Sequence, residues 1–476
     1  MNRYKSGEMR EQIQFIPLTI DEAVAKDSIV RIIDLMVDNF DMKELGFKNS
    51  TTCHTGNPPY NPKDLFKLYL YGYFDGVRSS RKLERETYRN IEVIWLMRSL
   101  HPDFKTIADF RKDNVESIRK AFKQFNALCN KHCLFGGETV GLDGTKIKAV
   151  NNRNKVHSAD SIKNEIKWTE ERLQKYMQEI EQNDIKEAEE EEYREKLKKA
   201  YEGLVKRKAC LETYKEKIEH EGGQIAETDE DCRLMRIKGS TFDAAYNMQV
   251  TVDAKNRLIL DYEVTNDTSD IHQLEPMAKR AKDILQVEEL ELLADAGYHN
   301  AQQIKNCEEE KITTYIPDTG KVDGIKFRYD EEADVYECPQ GRKLEFESKF
   351  KNKQGRSVRR YRSKNCEDCP MRSICTQSKK GRSIKIDSLQ PVVERMKQRV
   401  ETDPRKARMR SGLCEHPFGI LKQNMGFRYF LLKGLRKVNG EAGLMLLAYN
   451  LKRVVNILKR VKFTQNLAPR ELIGTK

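Results

Sequence analysis

The chain has 476 residues, of which 34% are charged and 38% hydrophobic, and it carries a formal net charge of +12. That length exceeds what one compact core usually needs, so two or three domains are expected. The basic excess points to a polyanionic partner, nucleic acid being the commonest. No run of about 18 apolar residues exists, which excludes a membrane-crossing helix. The opening stretch MNRYKSGEMREQIQF lacks the apolar core of an export signal, and eleven cysteines in such a chain read as reduced thiols, so a cytoplasmic protein is expected.

Residues 1–135 read as mostly helical. Over 28–39, Ile29, Ile32, Ile33, Met36 and Val37 form an apolar stripe at helical spacing. Pro62 opens a second helix at a favoured first-turn position, and KDLFKLYLYGYF after it is apolar nearly all round. Ser79-Ser80-Arg81-Lys82 starts a third helix, and residues 106–125 form a fourth. At Thr139 the texture changes: TVGLDGTKIKAV reads as a strand with a turn at Asp143-Gly144.

Residues 160–220 have heptad character. Ile162, Ile166, Thr169, Leu173, Tyr176 and Ile180 alternate steps of four and three, and Leu197, Leu204, Leu211 and Ile218 recur every seven. With a break at Gln182-Asn183-Asp184, this predicts an antiparallel helical hairpin with a coiled-coil seam, inserted over 158–222. The acidic run from Glu187 to Glu192 reads as a solvated face. Strands follow at 246–254 and 257–265, joined by a turn over 253–256, then a helix at 272–286 and strands within 289–297 and 313–317. Residues 318–387 have no helical periodicity, and helical texture returns from Pro391 to the end. This order predicts an α/β fold around a mixed sheet.

Three acids stand at the ends of apolar elements: Asp143 before Gly144, Asp295 before Ala296-Gly297, and Glu415 in the basic stretch RMRSGLCEHPFGILK. An acid in a dry place is costly unless protonated, paired or metal-bound, and small neighbours leave room for a ligand. Carboxylates sharing two divalent ions suit phosphodiester chemistry, with Mg²⁺ or Mn²⁺ favoured by hard oxygen ligands. Each acid read alone is equally well a turn residue, and Asp253 and Asp270 offer the same kind of signal.

The segments GLDGTK (141–146), ADAGYHN (294–300) and EHPFGILK (415–422) resemble the three catalytic motifs of insertion-sequence DDE transposases, in the branch of cut-and-paste elements with an inserted catalytic domain. CRLMRIKG (232–239), YNMQVTVD, TNDTSDIHQL (265–274), KGLRKVNGEAGLMLLAYNLKR (433–453) and, near the start, YNPKDLFKLYLYGYFDGVRSSRKLE and TIADFRKDN fit the same branch. The resemblance implies a ribonuclease-H-like core with Asp143 on its first strand, Asp295 after its fourth and Glu415 on a late helix, together holding two Mg²⁺ (or Mn²⁺) ions. It implies a helical DNA-binding domain over 1–135 and a catalytic domain over 136–476. It also implies binding to the element's terminal inverted repeats, Mg-dependent strand cleavage and strand transfer into target DNA, and a homodimer in the synaptic complex of a bacterial, nucleoid-associated protein. A related nuclease without strand transfer, and an inactive DNA-binding descendant, are the alternatives.

Lys422 matches the family lysine that contacts DNA near the cut. The family's Tyr and Arg before the glutamate are replaced here by Arg408 and Ser411, with Arg410 one residue off as a substitute. Pro417 predicts a kink or restart in that helix. His299, His416, Tyr246, Asn247, Gln249 and Tyr298 are candidate DNA contacts, though each also fits as a packing or sheet residue.

Between Cys338 and Ile386 there are 15 Lys and Arg against 4 Asp and Glu, a net of +11 that nearly equals the excess of the whole chain. This basic insertion, placed at 318–387, suits phosphate contact, with Arg359 and Arg360 as candidates. Cys338, Cys366, Cys369 and Cys375 lie in it. The C-x₂-C step resembles half of a zinc knuckle, so a structural zinc is one reading and unliganded thiols the other. Tyr361, Phe346 and Phe350 read as a small core. Arg81, with Arg78, Lys82, Arg85 and Arg89, is a candidate DNA-facing helix surface.

Overall fold

The structure is a computed structural model that describes residues 19–51, 58–183, 191–238, 241–317, 327–330, 333–351, 357–387 and 389–466. Asp184 at the expected hairpin break, and most of the acidic run after it, lie outside the described residues.

Among the described residues seven helices precede the first strand: α1 (Ile20–Ala23), α2 (Ile29–Asp38), α3 (Pro62–Phe74), α4 (Ser80–Arg89), α5 (Ile91–Leu96), α6 (Phe104–Asp113) and α7 (Val115–Lys131). The Ser28 hydroxyl accepts the Val30 N–H to start α2, and Asn61 caps α3 one residue before Pro62. The stripe read at 28–39 is buried as a face. The single helix expected over 106–125 is instead two. Asn114 breaks it: its amide donates back to the Phe110 carbonyl at 2.8 Å, and its side-chain oxygen accepts the Lys48 N–H at 2.7 Å. A side chain that satisfies backbone groups in this way competes with the helical ladder.

The mixed sheet is built from β1 (Thr139–Lys148), β4 (Arg233–Lys238), β5 (Thr241–Asp253), β6 (Ile259–Thr265), β7 (Leu290–Leu293) and β8 (Ile312–Tyr315), with a separate pair, β2 (Val156–Ser158) and β3 (Gln224–Ala226), between β1 and β4. The order is β4-β5-β1-β7-β8, with β6 also pairing to β5. β5 runs antiparallel to β1, β4 and β6, whereas β1, β7 and β8 are mutually parallel neighbours. The turn expected at Asp143-Gly144 does not exist. β1 passes straight through it, with Asp143 opposite Val250 and Gly144 opposite Gln249. Pairing on both sides of β1 outweighs the local turn tendency of an Asp-Gly step.

The hairpin helices α8 (Ala159–Asn183) and α9 (Glu191–Glu221) pack along each other, with Ile162, Thr169, Leu197, Leu211 and Ile218 of the expected stripes buried. The β2–β3 pair closes their base, with His157 opposite Ile225. Across this base His157 faces Glu227 at 2.9 Å and Glu165 at 3.3 Å, and Arg207 pairs with both glutamates.

Helices α10 (Leu274–Leu285) and α11 (Ala301–Glu309) flank β7. The region without helical periodicity forms a second, antiparallel sheet of β9 (Arg328–Asp330), β10 (Val335–Glu337), β11 (Lys343–Lys351), β12 (Ser357–Arg362) and β13 (Ser383–Asp387), with the short α12 (Arg372–Cys375) before its last strand. Its small core holds Tyr336, Leu344 and Tyr361. Phe346, expected inside, is 45% exposed and lies beneath the Arg359 guanidinium. Helices α13 (Gln390–Thr402), α14 (Pro404–Gly419) and α15 (Leu435–Asn466) complete the chain.

One continuous hydrophobic core extends from Val24 through the N-terminal helices and the mixed sheet to Val455 on α15. α15 packs against α3, α7 and β6. Close approach depends on two helical glycines. A Cβ at Gly440 would come within 2.8 Å of Val115, and one at Gly443 within 2.5 Å of the Tyr262 hydroxyl.

Candidate active site

Asp143 stands in the middle of β1, its side chain largely buried. Two residues earlier, on the same face of the strand, is Gly141. A Cβ there would lie 2.7 Å from Cys414 Sγ and 2.9 Å from Leu413, so only glycine lets α14 rest directly on the β1 backbone. That contact brings Arg410 and Glu415 to the same neighbourhood. The Arg410 guanidinium donates to Asp143 Oδ2 at 2.8 Å, while Asp143 Oδ1 accepts the Gly144 N–H at 2.8 Å. Arg410, expected from the sequence as a DNA contact, is here the ion-pair partner of Asp143.

Asp295 follows β7, the parallel neighbour of β1, and caps the turn Ala296–Tyr298 by accepting the Gly297 N–H at 2.9 Å. Parallel pairing of β1 with β7 places both aspartates at one region of the sheet. Burial pushes the Asp143 carboxyl up to about 6. Arg410 opposes this, and the negative charges of Asp295 and Asp270 add to it. Glu415 is exposed on α14, where it accepts the Ser411 hydroxyl at 2.7 Å. Its chain neighbour Cys414 has a buried thiol whose proton is held more tightly by burial and by the charges of Asp143, Asp295 and Glu415. Asp143 and Asp295 thus share one region, with Glu415 exposed on the adjoining α14, and the three are not closed into a cage. Among the described residues no three His, Cys, Asp or Glu side chains converge tightly enough to hold an ion as they stand.

The donor set fits a hard divalent cation all the same. Asp143 and Asp295 offer carboxylate oxygens only, their mutual repulsion in a dry setting is relieved by a cation, and Gly144 and Gly297 leave space beside them.

Lys422 lies on a single π-helical turn, Ile420–Asn424, that follows α14. The helix continues through Pro417 and widens only after Gly419, where the Ile420 N–H reaches both the His416 and Pro417 carbonyls. Lys422 Nζ donates to the Thr145 hydroxyl and, at 3.3 Å, to the Lys146 carbonyl on β1, and burial lowers its proton affinity. Among the described residues His299 Nε2 and His416 Nδ1 are buried without hydrogen-bond partners, and burial lowers the proton affinity of His416.

Sequence reasoning did not choose Asp270, which precedes α10 and lies at the same region. Its Oδ1 accepts from Asn247 Nδ2 and Gln249 Nε2, both at 2.6 Å, and from Lys146 Nζ at 3.2 Å. Tyr298 donates its hydroxyl to Gln249 Oε1. Asn247, Gln249 and Tyr298 therefore serve this carboxylate. Tyr246 instead donates to Asp229 at 2.6 Å. The signal for Asp270 was its place in TNDTSDIHQL, where it could not be ranked above Asp253. Asp253 proves to be the turn residue, accepting the Gly136, Lys255 and Asn256 N–H groups.

The other candidate DNA contacts lie elsewhere. Arg359 pairs with Asp334 and stacks on Phe346 and Tyr361, and Arg360 lies over Phe350. Arg81 is exposed, with its guanidinium over the Phe104 ring. Arg78 is not on that surface. It is 6% exposed, pairs with the fully buried Glu441 at 2.9 Å and donates to the carbonyls of Gly426 and Tyr429. Cys338, Cys366, Cys369 and Cys375 are free thiols that gather near one another, since the charges of the first three act on Cys375. The Arg382 N–H points at Cys366 Sγ at 3.4 Å.

Residues 18–113 match a transposase domain family, and residues 337–455, which contain Arg410, Glu415, Lys422 and the four cysteines, match the transposase DDE domain. These two matches indicate a DNA transposase. More particularly, together they indicate a DDE transposase of the insertion-sequence kind. No curated protein sequence matches the chain. The cryo-EM structure of a piggyBac transposase synaptic complex with hairpin DNA is similar at 12% identity and a TM-score of 0.26, over 94% of this chain and 86% of that one. Among the described residues no helix is long and apolar enough to cross a membrane.

Proposed function

We propose that the protein binds the terminal inverted repeats of its element and carries out Mg²⁺-dependent strand cleavage followed by strand transfer, with Asp143, Asp295 and Glu415 as the catalytic carboxylates. The observation that carries this reading is the approach of Asp143 and Asp295 on adjacent parallel strands, with α14 seated on Gly141 beside them. Sheet topology supports a ribonuclease-H-like core. Counting β1, β5, β6, β7 and β8 as one to five gives the order 3-2-1-4-5, with the second antiparallel to both the first and the third and the last two parallel to the first.

Divalent ions at this site would supply Lewis acidity at the scissile phosphate and favour an ionised nucleophile, water first and the freed 3′-hydroxyl second. The chain's own part is positional and electrostatic. Asp143 must release the proton that burial favours before it can act as an oxygen ligand. Arg410 holds that carboxylate while it waits and has a second role open to it, as a phosphate contact, once a cation takes over Asp143. Lys422 braces β1 through Thr145 and offers positive charge beside Asp143.

Residues 1–135, with Arg81 exposed, form the region proposed to read the inverted repeats, and the basic sheet with Arg359 and Arg360 is proposed to hold the DNA backbone. Strand transfer at two ends calls for a homodimer, and the heptad stripes of α8 and α9 fit a coiled-coil-like arm. The four thiols, which do not converge on one point as they stand, are proposed to close around a structural zinc.

The test is cleavage of a duplex carrying the element end, in Mg²⁺. Asp143→Asn, Asp295→Asn and Glu415→Gln should each lower the rate on the order of a hundredfold or more while the duplex stays bound. An Asp295→Asn protein that cuts as fast as the parent would overturn the triad.

A further inference from the structure

We infer that Asp270 is a fourth carboxylate of the catalytic site, an oxygen ligand that acts with Asp143 and Asp295 in binding the divalent cations. This deepens the strand-cleavage reading and rests on it for the identity of the site. The first ground is orientation. All three recorded donors to Asp270, from Asn247, Gln249 and Lys146, converge on Oδ1. Among the described residues Oδ2 accepts nothing, so the group is held firmly by one oxygen with the other left open.

The second ground is where that open oxygen lies. The space a side chain at Gly297 would occupy has Asp295 Oδ1 3.0 Å away and Asp270 Oδ2 3.8 Å away. Two carboxylates thus border one small gap kept clear by a glycine. On β1, the corresponding space at Gly144 is bounded by Gln249 Nε2 at 2.6 Å, Asp270 Oδ1 at 2.9 Å and Asn247 Oδ1 at 3.1 Å.

The third ground is the far side of an amide that already serves Asp270. Asn247 is fully buried, and among the described residues its Oδ1 has no hydrogen-bond partner. A buried carbonyl oxygen left unpaired costs free energy, and such a group facing a site calls for an electropositive occupant. Tyr298 ties the arrangement together. Its hydroxyl donates to Gln249 Oε1, which turns the Gln249 amide so that its N–H₂ faces Asp270. The same phenol holds its proton far more tightly than usual through burial and the charges of Asp270, Asp143 and Asp295, all three of which are therefore near it. Were Asp270 only an anchor for Lys146 and two amides, its second oxygen would have no reason to open onto the gap beside Asp295.

The experiment titrates Mn²⁺ into the full chain bound to a duplex carrying the element end, following free Mn²⁺ by electron paramagnetic resonance. Asp270→Asn should weaken Mn²⁺ binding by about tenfold or more, at the scale known for groups that tune a metal site. Asp270→Cys should cleave DNA in Mn²⁺ and remain slow in Mg²⁺, because a thiolate accepts the softer ion better. A D270N protein that titrates like the parent, or a D270C protein equally slow in both ions, overturns the proposal. If D270N fails to fold, the D270C comparison decides alone. A parent protein that binds Mn²⁺ through Asp270 but never cuts the duplex would refute the strand-cleavage reading and leave the ligand assignment standing.

Discussion

At Gly141 a missing side chain decides where a whole helix can sit. Replacing it with alanine puts a methyl group where Cys414 and Leu413 now pack, and α14 must lift from β1, carrying Glu415 and Arg410 with it. Gly141→Ala should therefore cost about 1–3 kcal/mol in a urea melt and should depress strand cleavage far more than that loss of stability explains. On the proposed assignment, Asp143 sets the pH dependence. Its proton is held more tightly in the folded chain than in the unfolded one. The stability contributed by that proton is full below the ordinary carboxyl range and is lost as pH rises through about 6. The ionised form, which catalysis needs, appears over the same interval. Cleavage should climb roughly tenfold per unit below about pH 6 and level off above it. Because Arg410 opposes the upward shift, Arg410→Ala should move the midpoint of the pH–rate profile to higher pH; an unmoved midpoint would assign the titration to another group. Among residues, the motifs named Asp143, Asp295, Glu415, Lys422 and even the displaced Arg410. Asp270 was in view but unranked, because what distinguishes it from Asp253 is the company of Asn247, Gln249 and Tyr298, which no spacing along the chain reveals.

At the level of elements, legibility followed periodicity. The stripes of α2, α8 and α9 were plain because each buries one face against a partner helix. The break at Asn114 was hidden because two amphipathic helices in sequence look like one. The Asp-Gly turn was misread because the pull that keeps β1 straight comes from β5 and β7, more than a hundred residues downstream. The second sheet was invisible since, among the described residues, its short strands bury little beyond Tyr336, Leu344, Val358 and Tyr361 and give their other faces largely to Lys and Arg. A core that small needs help, and the gathered thiols supply a place for it. Elemental analysis should find about one zinc per chain, and Cys369→Ser should abolish it and loosen residues 335–387 to protease while the mixed sheet stays intact; a metal-free parent would leave the thiols as packing only. The hairpin gives a complementary expectation. Its two ends are fastened by the β2–β3 pair and by Arg207 bridging Glu165 and Glu227. Arg207→Ala should lower the melting of the hairpin, followed by hydrogen exchange of α8 and α9, without slowing cleavage.

For the molecule as a whole, the decisive element is α15, around which the N-terminal helices and the mixed sheet share one core. Glu441 on that helix has no exposure and accepts the Leu431 and Leu432 N–H groups as well as Arg78, which in turn binds the loop leading back to β1. Glu441→Ala strands a buried guanidinium and should cost about 3–5 kcal/mol, read as a single lowered urea transition for both regions together; two separated transitions would mean the regions fold apart. Cast around one shaft, the N-terminal helices and the mixed sheet have no joint between them among the described residues. On the proposed function, any repositioning of a DNA end between cutting and joining would fall to the nucleic acid, to the separately cored hairpin and second sheet, or to the seating of one subunit on another, with the catalytic body serving as an anvil and not as a pair of jaws.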